Sequence, residues 1–161
     1  TQEMDGSWRQ DVEWTAAALL AFLRSGHTLR KGNYRKQVRR AFEWLAKTSA
    51  AGFAAYLKAL VLQELDAADP TTTSLAEAHR SIRLLPTPQN RLEAAAHEVL
   101  HGRTPGDPQS SHPHTLDELR LAALLSPITG RVQPAVNNPD RSDLRLEHIY
   151  AAVVVSETVR L

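Results

Sequence analysis

The sequence predicts an all-α domain made of antiparallel helix pairs. Three observations predict it. Apolar residues recur at intervals of three and four through most of the chain. Gly, Pro, Ser and Asn gather between those runs, where turns are needed. No alternating, turn-bounded run argues for a sheet. The 161 residues are enough for one domain with a real core.

Asp11 to Arg24 is the first expected helix, with Val12, Ala16, Leu19, Leu20 and Leu23 on one face. Asp11 and Glu13 sit in its first turn, where the dipole favours carboxylates. Gly26 suits the left-handed position after its last turn. Asn33 is a candidate cap for the next helix, Tyr34 to Lys47, whose inner face is Tyr34, Val38, Ala41, Phe42 and Leu45. Its outer face is basic: Arg35, Lys36, Arg39, Arg40 and Lys47, with Arg30 and Lys31 just upstream.

A third helix is expected from about Ala51 to Ala67, closed by Pro70. A fourth starts at Thr73 or Ser74, turns Leu75, Ala78, Ile82 and Leu85 inward, and ends at Pro86 and Pro88. Asn90 to His101 is the fifth, stopped by Gly102. The stretch 102–114 reads as a loop. Thr115 and Glu118 form a capping box for a sixth helix that ends at Ser126-Pro127. Residues 128–142 are again irregular. A seventh helix runs from Ser142 to about Arg160. Its β-branched run Ala151 to Val155 could suggest a strand, but the Leu144, Ile149, Ala152, Val155 spacing favours a buried helix. The expected organisation is therefore a single helical domain over 1–161. Helix-pair repeats occupy 1–101, and C-terminal helices occupy 115–161 after a loop.

Composition narrows the function. A net charge of +1 gives no global field toward nucleic acid or membrane. The absence of Cys removes disulfides, thiolate zinc sites and a cysteine nucleophile. No apolar run approaches the roughly 20 residues of a membrane span. A soluble protein is expected, its compartment left open with the cytoplasm favoured, and its partner is either another protein or other domains of a longer parent chain. The chain opens without a start Met, directly on a motif, as a segment cut from a longer protein would.

A faint internal period is present. A shift of 46 residues places Gln2 on Thr48, Gly6 on Gly52 and Trp8 on Ala54. Each copy is followed by an apolar helix, which suggests stacked helix pairs.

The opening Gln2-x-x-x-Gly6-x-Trp8 resembles the glutamine–tryptophan repeat of the terpenoid cyclase and protein prenyltransferase superfamily. The continuation is Thr15 to Leu23, Gly26-His27-Thr28, Gly32-Asn33-Tyr34 and Phe42-Glu43-Trp44-Leu45. It looks like the toroid segment of some large bacterial proteins that also carry von Willebrand type A and inter-alpha-trypsin-type domains. The likeness covers roughly residues 1–65. It implies a partial α/α-toroid, with Gln2 capping a helix end and Trp8 stacking nearby. The family's enzymes depart from this chain. Its cyclases use an Asp-x-Asp-Asp motif and its prenyltransferases a zinc site that includes Cys; neither is present here.

One motif points to chemistry. His97-Glu98-Val99-Leu100-His101 is H-E-x-x-H. On a helix, His97 and His101 share a face and can hold zinc, with Glu98 as general base on bound water. Glu118 is the candidate third metal ligand, and His112 and His114 are near in sequence. The extended zincin pattern is absent, since Thr104 and Asp107 occupy the places of its Gly and third His. The bland alternative is a pair of helix-end histidines that suit the dipole.

Three functions follow for test. The first is a non-catalytic helical-repeat module without cofactor, for protein–protein interaction or scaffolding. Its candidate surface is Arg35, Lys36, Arg39 and Arg40, and an exposed apolar face at the first or last helix pair would favour it. The second is a zinc hydrolase at His97, Glu98, His101 and Glu118. The third is a hydrophobic-ligand binder, with Trp8, Trp14, Trp44, Tyr56 and Phe53 lining a pocket rather than filling a core.

Overall fold

The computed structural model describes residues 2–68 and 72–102, together with residues 120, 149 and 150. Among the described residues there are five α-helices and no strand: α1 (Val12–Arg24), α2 (Arg35–Lys47), α3 (Phe53–Ala68), α4 (Thr72–Arg83) and α5 (Arg91–Leu100). The expected helix boundaries move by only a few residues, as frayed ends do. The sixth and seventh expected helices, and the irregular stretches beside them, lie outside the described residues except at helical Arg120, Ile149 and Tyr150.

Local chemistry explains the ends of α1. Asp11 is its N-cap, and its carboxylate accepts the Trp14 amide at 2.9 Å. At the other end Gly26 is left-handed (φ 91°). Its amide donates to Leu23 O, and the His27 amide donates to Phe22 O. That pair of bonds is a Schellman cap, which satisfies carbonyls the helix leaves open.

The start of α2 differs from expectation. Its N-cap is Tyr34 rather than Asn33, and no side chain bonds its first amides. Tyr34 is 46 % exposed and does not join the inner face. Its ring instead rests on Phe22 at 5.2 Å and His27 at 4.9 Å, which places it ahead of the helix. The rest of the inner face, Val38, Ala41, Phe42 and Leu45, is buried as expected.

Helix α3 is the hub. It packs against α1, α4 and α5, while α2 packs against α1. The odd-numbered helices are thus neighbours in sequence order, and α2 and α4 each lie on the helix before them. Two core clusters meet at α3. Leu57, Val61, Leu62 and Leu65 join α1 and α2; Tyr56, Ala59 and Leu60 join Ala96 and Leu100 of α5. Each fully buried leucine of this kind contributes about 1.5–3 kcal/mol. Ala78 of α4 is buried, while Ile82 and Leu85 are half-buried against the second cluster. The Leu75 side chain lies outside the description.

Ile149 and Tyr150 are buried in the first cluster. The first helix pair therefore has a covered apolar side. Among the described residues the exposed large apolar side chains are Met4, Tyr34 and Leu84. They belong to the opening loop, the start of α2 and the end of α4, and do not form a broad face at either end.

Candidate functional site

The opening motif is spent on holding helices. The Gln2 side-chain amide donates to Gly6 O at 2.8 Å and to Gln37 O at 2.9 Å. Gln37 is the third residue of α2, so Gln2 clips the loop to that helix's first turn. Gly6 has φ 100°, and a Cβ there would run into the Arg40 carbonyl. Only Gly permits both the conformation and the approach. Trp8 stacks on Phe22, centroids 5.8 Å apart. Its amide donates to Thr15 Oγ1, whose hydroxyl donates to Asp11 O. The Ser7 hydroxyl and amide both donate to Asp5 Oδ1, and they hold its carboxyl below the usual carboxylate range.

The basic face lies open. Arg35, Lys36, Arg39 and Arg40 are all exposed, as are Arg30, Lys31 and Lys47. Arg39 reaches back to Leu29 O at 3.5 Å. No described carboxylate forms an ion pair with Arg35, Lys36, Arg40 or Lys47.

The H-E-x-x-H segment lies at the end of α5. Asn90 caps the helix by accepting the Glu93 amide, and Glu93 accepts the Gln89 amide in return. His97 is in the last turn, and His101 is the C-cap residue, just beyond the helix. Their rings lie 4.2 Å apart at 34°. His101 Nδ1 lies 2.8 Å from the His97 carbonyl, where a ring N–H donates to a carbonyl at the helix end. The two imidazoles are thus together, as i,i+4 spacing requires. Among the described residues no three His, Asp or Glu side chains are grouped to hold a metal ion. Glu118, His112 and His114 lie outside the described residues.

Three polar groups were missed by pattern reading. Arg24, 2 % exposed, forks onto Glu64 with bonds of 2.6 and 3.2 Å. The pair lines a hollow of about 520 Å³ with Leu23, Gly26, Thr28 and Lys31. The available signal was position: Arg24 follows Leu20 by four, so it falls on the buried stripe of α1. Glu13 was read as a first-turn carboxylate. In the fold it accepts two bonds from Arg120 (2.5 and 2.8 Å) and one from Tyr150 (2.8 Å). Burial, and then the Glu13 charge, push the Tyr150 hydroxyl well above its ordinary range, so it stays a donor. Lys58, half-buried, donates to the Thr48 carbonyl at the end of α2 at 2.7 Å, and burial draws its ammonium below the ordinary lysine value.

The five aromatic residues expected at a pocket pack in or against the core instead. Trp8, Trp14, Trp44 and Phe53 pack partly buried on the first cluster, and Tyr56 is fully buried in the second. The Tyr56 hydroxyl donates to Pro86 O. Neither the 520 Å³ hollow nor a smaller one of about 110 Å³ beside Lys58 has an aromatic wall. His27 bonds Phe22 O at the end of α1 through its backbone amide. Its Nδ1 is buried without a hydrogen-bond partner. No helix among the described residues is long and apolar enough to cross a membrane. Compared with known proteins, the chain matches no family model, no curated protein and no solved structure.

Proposed function

We propose that this chain is a non-catalytic helical-repeat module that binds other proteins or neighbouring domains. In layout it would be a partial α/α-toroid of the kind its opening motif resembles. The observation that carries the proposal is the order of helix contacts. The odd helices α1, α3 and α5 stand side by side through α3, with α2 and α4 laid on their own predecessors. Stacked helix pairs in this order present extended outer surfaces, which repeat proteins use for binding. The use of the motif supports the same reading. Gln2, Gly6 and Trp8 position a loop and two helices, and are not gathered around a reactive group.

The competing function is zinc hydrolysis at His97, Glu98 and His101, and a zinc titration separates the two. Chelator-stripped protein is titrated by calorimetry beside a His97→Ala/His101→Ala variant, and both are assayed on peptide and ester substrates. The module predicts no zinc-dependent hydrolysis and equal folding of both proteins. Tight stoichiometric zinc and hydrolysis, both lost in the variant and hydrolysis lost in Glu98→Gln, would replace the module with a metallohydrolase.

A further inference from the structure

Charge in this molecule is segregated. Residues 30–47 hold seven of the 19 Lys and Arg but one of the 18 Asp and Glu. That segment therefore carries six net positive charges, and the remainder of the chain five net negative ones. The seven cations are all exposed.

The arrangement works against the helix that carries it. Arg35 and Arg39, and Lys36 and Arg40, are like-charge pairs at i,i+4; Lys36 and Arg39 add one at i,i+3. Each such pair destabilises a helix. Arg35 and Lys36 also occupy the first turn of α2, where the dipole disfavours cations. That turn holds no acidic residue, and its N-cap side chain makes no bond. Helix stability alone would place a carboxylate at position 35 or 36.

We propose that the exposed face of α2 docks an acidic polypeptide segment. The inference rests on the interaction-module reading and names the partner's chemistry. Carboxylates laid along Arg35, Arg39, Lys36 and Arg40 would remove the repulsion within α2. Three of these four are Arg, whose planar fork accepts a carboxylate in two bonds. Charge complementarity favours a short acidic segment over a nucleic acid. The positive charge is confined to one short segment of a chain whose remainder is net negative, so the patch matches a short acidic segment better than a long polyanion.

The test uses the full chain and a fluorescent glutamate-rich peptide, with its glutamine counterpart and a single-stranded oligothymidylate as competing probes. Binding is measured by anisotropy at low and at physiological salt. The variants are the charge-reversed Arg35→Glu/Lys36→Glu, which turns each like-charge pair into an opposite-charge one, and the neutral Arg35→Gln/Lys36→Gln/Arg40→Gln. The glutamate peptide should bind the parent, and bind more weakly as salt rises. Both variants should lose about tenfold or more in affinity. The thermal midpoint of the charge-reversed variant should hold or rise by about 1–2 °C, because its helix is relieved of repulsion. Loss of affinity with an unchanged or raised midpoint supports the proposal. Equal peptide binding by the parent and the neutral variant overturns it, as does no binding by the parent. Tighter binding of the oligothymidylate than of the glutamate peptide overturns it in favour of nucleic acid. None of these failures touches the module reading, which falls on zinc-dependent hydrolysis instead.

Discussion

The loop before α1 and the loop before α3 occupy matching places in the 46-residue period, yet they hold the fold in different ways. In the first, Gln2 makes two bonds, Gly6 lies against the backbone of α2, and Trp8 stacks on α1. The turn that follows holds two non-glycine residues in left-handed conformation, Arg9 (φ 57°) and Gln10 (φ 52°). In the second, Thr48 stands where Gln2 does, and its hydroxyl only turns back to Trp44 O. Gly52 keeps a left-handed φ of 58°, but the nearest atom to an added Cβ is Glu93 Oε1 at 3.6 Å, an ordinary contact. The left-handed glycine persists while the clip and the close approach do not. Helix α3 begins one residue after Gly52, whereas α1 begins six after Gly6. The hub helix is held by its own apolar surface on three neighbours, so its entry needs no clip. Helix α2 packs chiefly on α1, and the motif supplies a further connection to it.

Paired substitutions test that contrast by urea denaturation. Gly6→Ala should show the largest loss, about 2–4 kcal/mol, from left-handed strain plus displacement of the Arg40 carbonyl. A loss as small as that of Gly52→Ala would break the comparison. Gln2→Ala removes both bonds of the clip and should cost about 1–2 kcal/mol. Thr48→Ala at the matching place should cost less than about 0.5 kcal/mol, since it removes a local back-bond on a part-exposed hydroxyl. Gly52→Ala meets strain without a clash and should cost about 1 kcal/mol. One effect is a gain. Gln10→Gly relieves a left-handed residue and should stabilise the protein by about 0.5 kcal/mol, with the opposite sign to the other four.

Legibility followed the range of the interaction. The five described helices and the buried faces of α1 and α2 follow from spacing within a dozen residues. The basic face of α2 was legible too, as the complement of the stripe Val38, Ala41, Phe42 and Leu45. Asn33 misled because a good capping residue was available, while the rings of Phe22 and His27 set the turn at Tyr34. The H-E-x-x-H spacing reliably brought two imidazoles together, because i,i+4 on a helix is a local fact. A third ligand is a tertiary question, and spacing alone does not answer it.

By itself, the sequence determined where helices form, which face of each is apolar, and that positive charge collects on α2. Those are consequences of local periodicity and of the few conformations open to Gly and capping residues. Only the tertiary structure decided that α3 is the hub and that Gln2 reaches Gln37, 35 residues away. It also decided that Arg24 pairs with Glu64 across 40 residues and that Glu13 receives Arg120 and Tyr150 across 107 and 137. The physical reason is common to all of these. A polar group enters the interior only where a partner meets it there, and that meeting depends on how helices distant in sequence pack.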